Sequence, residues 1–106
     1  MSQPSRGVPP YRVVYSGRCR DSTKLLLARA TAKGRFAELA QVLQGINTRL
    51  EWIPLDYGDP LRDLVDLGLL ELIGVLAPVV VTYGVDEARR IVYVPGVFKL
   101  LPRSGL

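Results

Sequence analysis

Apolar residues recur at helical spacing in two stretches of the first half of the chain. In residues 18–33 one face carries Cys19, Thr23, Leu26 and Ala30. In residues 36–53 the apolar stripe is longer, includes the polar Asn47, and faces away from a polar side. Ser16 is placed to cap the first helix, Gly34 to end it, and Pro54 to end the second. Two helices joined by Gly34-Arg35 predict an αα-hairpin.

Short runs rich in β-branched residues predict four strands. They lie at residues 11–15, 69–75, 79–83 and 91–94, and the last is expected to continue past Pro95-Gly96 to Leu100. The connections at residues 76–78 and 85–90 are short, so the last three strands should form an antiparallel meander. Residues 53–66 are rich in Pro, Asp and Gly and are predicted to be a loop.

This order of elements predicts an α+β domain. An N-terminal strand, an αα-hairpin and a three-stranded antiparallel meander would form one four-stranded sheet with both helices on one face. Residues 1–10 are predicted to be a flexible arm, and residues 11–106 a single domain. The strands at residues 69–75 and 79–81 show little polar alternation, yet two helices cover only one sheet face. We therefore expect a partner or a second copy, as in a homodimer, over the other face.

Composition excludes several kinds of chemistry. The 106 residues contain no His and one Cys, which rules out His-based nucleophile systems, His-ligated metal sites and an internal disulfide. No phosphate-binding glycine motif is present, so no cofactor and no metal are expected. The longest apolar stretch is interrupted by Gly and Pro, and no targeting segment is visible. The sequence thus predicts a cytoplasmic protein without membrane contact.

Charge is divided unevenly along the chain. The net charge is +4, but residues 1–53 carry nine basic and three acidic side chains, whereas residues 54–106 carry five basic and seven acidic ones. A basic N-terminal half is compatible with nucleic-acid binding through phosphates. Such a charge run is more often the solvated side of a helix, and both interpretations stay open. The four aspartates at residues 56–66 have no cation-site spacing and are expected to serve turns and caps.

Several sequence features along the chain match the order of elements and the short segments of one known family. They are the opening strand, the basic first helix, the amphipathic second helix, Pro54, and the segment from Gly58 to Leu61. Residues 79–87 and 91–94 carry a strand ending in Tyr-x-Val, an acidic turn and an apolar strand. Over residues 11–102 the chain resembles the RelE/ParE superfamily of type II toxin–antitoxin toxins.

The resemblance implies a growth-inhibiting toxin neutralised by a cognate antitoxin protein. RelE-like members cleave mRNA on the ribosome and ParE-like members inhibit DNA gyrase, so both targets are open. Two positions where the family's nucleases carry cations hold Glu71 and Val79 here. This departure leaves endoribonuclease activity uncertain and the catalytic residues unknown.

The basic residues of the second half, with one tyrosine, are the candidates for contact with nucleic acid. They are Arg62, Arg89, Arg90, Lys99, Arg103 and Tyr83. Lys99 and Arg103 lie where the resemblance implies cations near the last strand, and a tyrosine can donate a proton or stack on a base. A tyrosine on a strand more often buries its ring. The alternative function is a catalytically inactive RelE-like fold that serves as a protein-interaction or self-association module.

Overall fold

A computed structural model describes residues 8–106, so residues 1–7 of the predicted arm lie outside the described part. The helices are α1 (Gly17–Ala32), α2 (Phe36–Trp52) and the short α3 (Pro54–Tyr57). The strands are β1 (Arg12–Tyr15), β2 (Asp59–Leu64), β3 (Leu69–Leu76), β4 (Val79–Asp86), β5 (Ile91–Val94) and β6 (Lys99–Leu100). The predicted α+β class and the order of a strand, two helices and then strands are confirmed.

Local sequence explains where the two long helices begin and end. The Ser16 hydroxyl accepts a hydrogen bond from the Cys19 N–H at 3.0 Å, which satisfies one of the unpaired N–H groups at the start of α1. Gly34 follows α1 with a φ of 69°, a left-handed conformation that glycine adopts without strain. Pro54 lies at the first position of α3, and Ile53 alone separates it from the end of α2.

The strands form one mixed sheet in the order β1-β5-β4-β3-β2, and β6 pairs with β4. The ladders β3–β4 and β4–β5 are antiparallel, as the predicted meander requires. β1 lies at one edge and pairs in parallel with β5. The prediction of four strands is wrong, because β2 adds a fifth at the other edge and β6 is a separate segment.

The prediction of a loop at residues 53–66 is also wrong. The segment contains α3 and β2, and β2 pairs antiparallel with β3 with a register shift between Pro60 and Arg62. All residues of β2 except Leu64 are exposed, so the strand lacks the apolar alternation by which strands are recognised. Pro60 is tolerated because an edge strand leaves one side of its backbone unpaired.

The predicted continuation of the last strand to Leu100 is interrupted. Between the pairs Gly84–Tyr93 and Val80–Lys99, four steps along β4 face six steps along the opposing chain. Residues 95–98 leave the ladder at Pro95, which has no N–H to donate. This excursion brings Phe98 into the core, where it is 6% exposed.

One hydrophobic core joins the helices to one side of the sheet. Along β4 the buried Val81, Tyr83 and Val85 alternate with the less buried Val80, Thr82 and Gly84. The buried side packs with residues of α1 and α2, including Leu39 and Ile46. On the other side, Val14 and Val75 remain 37% and 51% exposed, so that sheet face is open in the described part of the chain.

Candidate functional site

A groove of about 560 Å³ lies between α1 and α2. On each helix its lining residues follow the spacing i, i+3, i+4, i+7, which places them on one helical face. The wall from α1 consists of Arg20, Thr23, Lys24 and Leu27, and the wall from α2 consists of Ala40, Leu43, Gln44 and Asn47. Tyr15, Cys19 and Phe98 complete the lining. The size is that of a pocket for a small molecule or for a few side chains of a partner.

The deepest residues of the groove are apolar or neutral, and its cations lie at the surface. Tyr15 and Phe98 pack with ring centroids 6.1 Å apart at an interplanar angle of 51°. Arg20 and Lys24 are exposed, and no ion pair involves either of them within residues 8–106. The groove therefore suits an apolar group with negative charge beside it.

Asn47 is the polar anchor of the groove. It accepts a hydrogen bond from the Tyr15 hydroxyl at 2.6 Å, and its amide donates to Glu51 at 3.0 Å. Burial raises the pKa of Tyr15 above its usual value, and the nearby Cys19 and Glu51 add to the effect. The hydroxyl consequently stays neutral and remains a donor. A polar residue inside the apolar stripe of α2 was the sequence signal for this contact.

Cys19 contributes to packing of the core, and its thiol is not expected to be reactive. It is fully buried, and burial raises the pKa of its thiol despite hydrogen bonds from Thr23 and the backbone of Phe98. The thiolate is the nucleophilic form, so a raised pKa disfavours reaction. This placement agrees with the apolar face predicted for Cys19.

The candidate cations of the second half do not lie together. Arg62 lies opposite Glu71, which pairs with Gly84 near the end of β4, and Arg103 follows β6. Arg89 and Arg90 follow the end of β4, whereas Lys99 lies in β6 opposite Val80, near its start. From Val80 to the end of β4 at Asp86 the strand spans about 20 Å. A single phosphate cannot contact cations at both ends of the strand.

Three of these cations already have partners. Arg62 forms an ion pair with Glu71 at 3.0 Å, and the hydrogen bond to that carboxylate raises the pKa of its guanidinium. Arg89 lies 3.5 Å from Asp86. Arg90 stacks 4.1 Å from the centre of the Tyr11 ring and donates two hydrogen bonds to the Pro9 carbonyl.

Lys99 and Arg103 are the two candidate cations that remain exposed without an ion pair within residues 8–106. Lys99 lies in β6, and Arg103 follows that strand with a φ of 62°. Both belong to the C-terminal end of the described chain. Of the predicted nucleic-acid contacts, these two alone offer side chains that are exposed and unengaged in the described region.

Tyr83 occupies a structural position instead of a surface one. It is fully buried, and its hydroxyl donates to the Pro54 carbonyl at 2.6 Å. Burial raises the pKa of Tyr83 to about 12. A nucleic acid cannot contact this side chain in the folded protein because it is buried. Its hydrogen bond instead links β4 to α3.

Part of the N-terminal basic group holds the C-terminal segment. Arg29 donates to the Leu106 carbonyl, Lys33 to Gly105 at 2.9 Å, and Arg35 to Ser104 at 2.9 Å. These three cations therefore have a structural role at the end of α1. Arg20 and Lys24, which lie at the groove, take no part in these contacts with the C-terminal segment.

Among residues 8–106, no three His, Cys, Asp or Glu side chains come together as a metal site. No helix of the described region is long and apolar enough to cross a membrane. Comparison with family models, with curated proteins and with solved structures found no match to this chain.

Proposed function

We propose that the chain is a RelE/ParE-like toxin of the type II toxin–antitoxin class that acts by binding another protein. The order of a strand, an αα-hairpin and an antiparallel meander supports this proposal. Its partners are a cognate antitoxin protein and a cellular target. A target that is bound, in the manner of DNA gyrase, is favoured over mRNA that is cut on the ribosome.

The observation that carries this choice is the dispersion of the candidate cations. Cleavage of a phosphodiester requires donors aimed at the developing charge and a proton-transfer group at the same point. Here Arg62 is paired with Glu71, and Arg89 is paired with Asp86. Arg90 is engaged by Tyr11 and Pro9, and Tyr83 is buried. What remains is Lys99 and Arg103, without a proton-transfer partner among the residues that the candidate site contains.

The apolar surfaces support protein binding. The groove between α1 and α2 has an apolar lining under a polar rim, the usual arrangement where side chains of a partner are received. The open face of the sheet adds exposed Val14 and Val75. Neither surface has the dense positive charge typical of nucleic-acid interfaces.

The test is expression of the chain alone in a bacterial host. We expect growth to stop while ribosome-bound transcripts remain intact, and purified protein to reduce DNA supercoiling by gyrase. The matched control is the double variant Lys99→Gln/Arg103→Gln, which should inhibit growth as the unchanged protein does. Transcript cleavage that this double variant abolishes would overturn binding as the mechanism in favour of a nuclease.

The second candidate function is the catalytically inactive interaction module. The apolar open face of the sheet favours it, because such a face is a surface for a partner or a second copy. Unimpaired growth with abundant, folded protein would support the module over the toxin. The oligomeric state measured on the same purified protein then shows whether the module acts on itself.

A further inference from the structure

An unusually apolar turn connects β2 to β3. The 3₁₀ segment Val65–Leu67 exposes 75% of Val65 and 67% of Leu67, and the exposed Asp63 and Asp66 lie beside them. Gly68 ends the segment in a left-handed conformation, φ 66°, which fixes the direction of the turn. We call residues 63–67 the acidic turn.

Nothing in the described chain uses these groups. Neither aspartate belongs to an ion pair within residues 8–106, and both large apolar side chains face solvent. Exposed apolar side chains are less favourable in water than when buried, so burial of Val65 and Leu67 against a partner would be favourable. The acidic turn therefore presents a small surface that is both apolar, through Val65 and Leu67, and negatively charged, through Asp63 and Asp66.

The groove between α1 and α2 has the complementary character. Its lining contains Leu27, Leu43 and Phe98, and its rim carries Arg20 and Lys24, both exposed. An apolar side chain flanked by a carboxylate therefore matches the groove in apolar character and in sign of charge. The charges along the sequence are divided in the same way: the first half, which supplies both helices of the groove, is basic, and the second half, which supplies the turn, is acidic.

The acidic turn and the groove lie toward opposite edges of the sheet. The groove includes Tyr15 of β1, at one edge of the sheet, whereas the turn follows β2 at the other edge. Four strand spacings separate these edges, about 19 Å. A chain cannot insert its own turn into its own groove, so a second copy must supply it.

We propose that the acidic turn of one copy docks in the groove of another, with Val65 and Leu67 against the apolar lining and Asp63 and Asp66 near Arg20 and Lys24. Because the two surfaces lie toward opposite edges of the sheet, we expect one copy to use them on two different neighbours, so the contact is heterologous and produces open chains or closed rings. The proposal is independent of the toxin function and concerns self-association alone.

The size of the two surfaces predicts a weak contact. A five-residue turn buries less than a standard interface of about 1,600 Å², so association should appear at micromolar protein or above. Since the charged groups lie at the rim, added salt should weaken the contact. These features make the mean mass of the unchanged protein dependent on both concentration and salt.

The experiment uses sedimentation of five purified proteins at micromolar to near-millimolar concentration: the unchanged protein, three double variants, and a four-substitution chain that combines two of them. The groove variant is Arg20→Glu/Lys24→Glu, and the turn variant is Asp63→Lys/Asp66→Lys. The control is Arg12→Glu/Lys99→Glu, which changes the net charge by the same amount and sign as the groove variant, on exposed side chains outside both surfaces. All substituted residues are exposed, and circular dichroism verifies that each variant folds.

We expect the unchanged protein and the control to associate, and the groove and turn variants each to remain monomeric. When both sets of substitutions are combined in one chain, the charges are exchanged and association should return. Monomeric unchanged protein at all concentrations would overturn the proposal. So would association lost only in the control, because Arg12, two residues from Val14 on β1, and Lys99, opposite Val80, both lie on the open sheet face.

Discussion

Two stacked tyrosines, Tyr57 and Tyr83, differ in whether the hydroxyl group forms a hydrogen bond. Tyr57 and Tyr83 lie with ring centroids 6.2 Å apart and nearly parallel. The Tyr83 hydroxyl has the Pro54 carbonyl as acceptor, whereas the buried Tyr57 hydroxyl has no partner within residues 8–106. An unpaired buried hydroxyl carries a desolvation cost that a paired one offsets.

Removal of these two hydroxyls should have opposite effects on stability. Tyr83→Phe loses a hydrogen bond and leaves the Pro54 carbonyl unsatisfied, so we expect the free energy of unfolding to fall by about 1–3 kcal/mol. Tyr57→Phe removes only the unpaired group and should be neutral or stabilising by about 1 kcal/mol. Urea unfolding measures both, and each variant is the control for the other. Equal losses in the two variants would show that the Tyr57 hydroxyl has a partner.

At the scale of elements, two glycines allow α3 and β3 to approach each other. A Cβ at Gly74 of β3 would lie 2.4 Å from the Tyr57 ring, and one at Gly58 would lie 2.8 Å from the Ile73 carbonyl oxygen. Such distances are far below van der Waals contact, so a side chain at either position must push the elements apart. β2 begins at Asp59, directly after Gly58.

Gly74→Ala should therefore destabilise the protein by about 1–3 kcal/mol through overpacking. The matched control is Gly17→Ala at the start of α1, where a Cβ meets nothing within 4 Å and alanine favours the helix. Thermal unfolding of the two variants gives the comparison. If Gly74→Ala unfolded at the temperature of the unchanged protein, the packing of Tyr57 on β3 would be looser than described.

The elements also show what could be predicted from the pattern of residues and what could not. Both long helices were predictable because their apolar stripes are regular and Ser16, Gly34 and Pro54 mark their ends. β2 was not, because an exposed edge strand places no demand for apolar residues on its sequence. Its pairing depends on β3, a tertiary contact that local patterns do not encode.

For the whole molecule, the number of charges in each half of the sequence does not predict where those charges lie in the fold. By sequence the basic residues of the first half form one group. In the structure, Arg29, Lys33 and Arg35 bind the C-terminal segment, whereas Arg20 and Lys24 border the groove. The candidate cations of the second half are separated by the length of β4. Sequence indicates which charges exist, but only the fold decides which of them meet.

Stability of the whole molecule should fall in alkaline solution. Burial raises the pKa of Tyr15, Tyr57 and Tyr83 in the folded state, and that of Tyr83 reaches about 12. In the unfolded chain tyrosine ionises near pH 10, as an approximate value. The folded state thus holds these protons more tightly, and its advantage is complete below about pH 10 and is lost as pH rises toward 12.

We expect the free energy of unfolding from urea titrations to decrease steadily between about pH 10 and 12. Tyr83→Phe, which lacks one of the three groups, should show a shallower decrease over the same interval. A pH dependence identical in both proteins would mean that Tyr83 ionises in the folded state as readily as in the unfolded chain.

The parallel pairing of β1 with β5 determines when the molecule can be completed during synthesis. Arg12 pairs with Ile91, so β1 leaves the ribosome long before its partner exists. The αα-hairpin and the β3–β4 hairpin join near neighbours in sequence and form early, whereas β1 must wait and then close a long loop. Until then an extended Arg-Val-Val-Tyr segment lies unpaired, the kind of segment that a chaperone bound to nascent chains protects from aggregation.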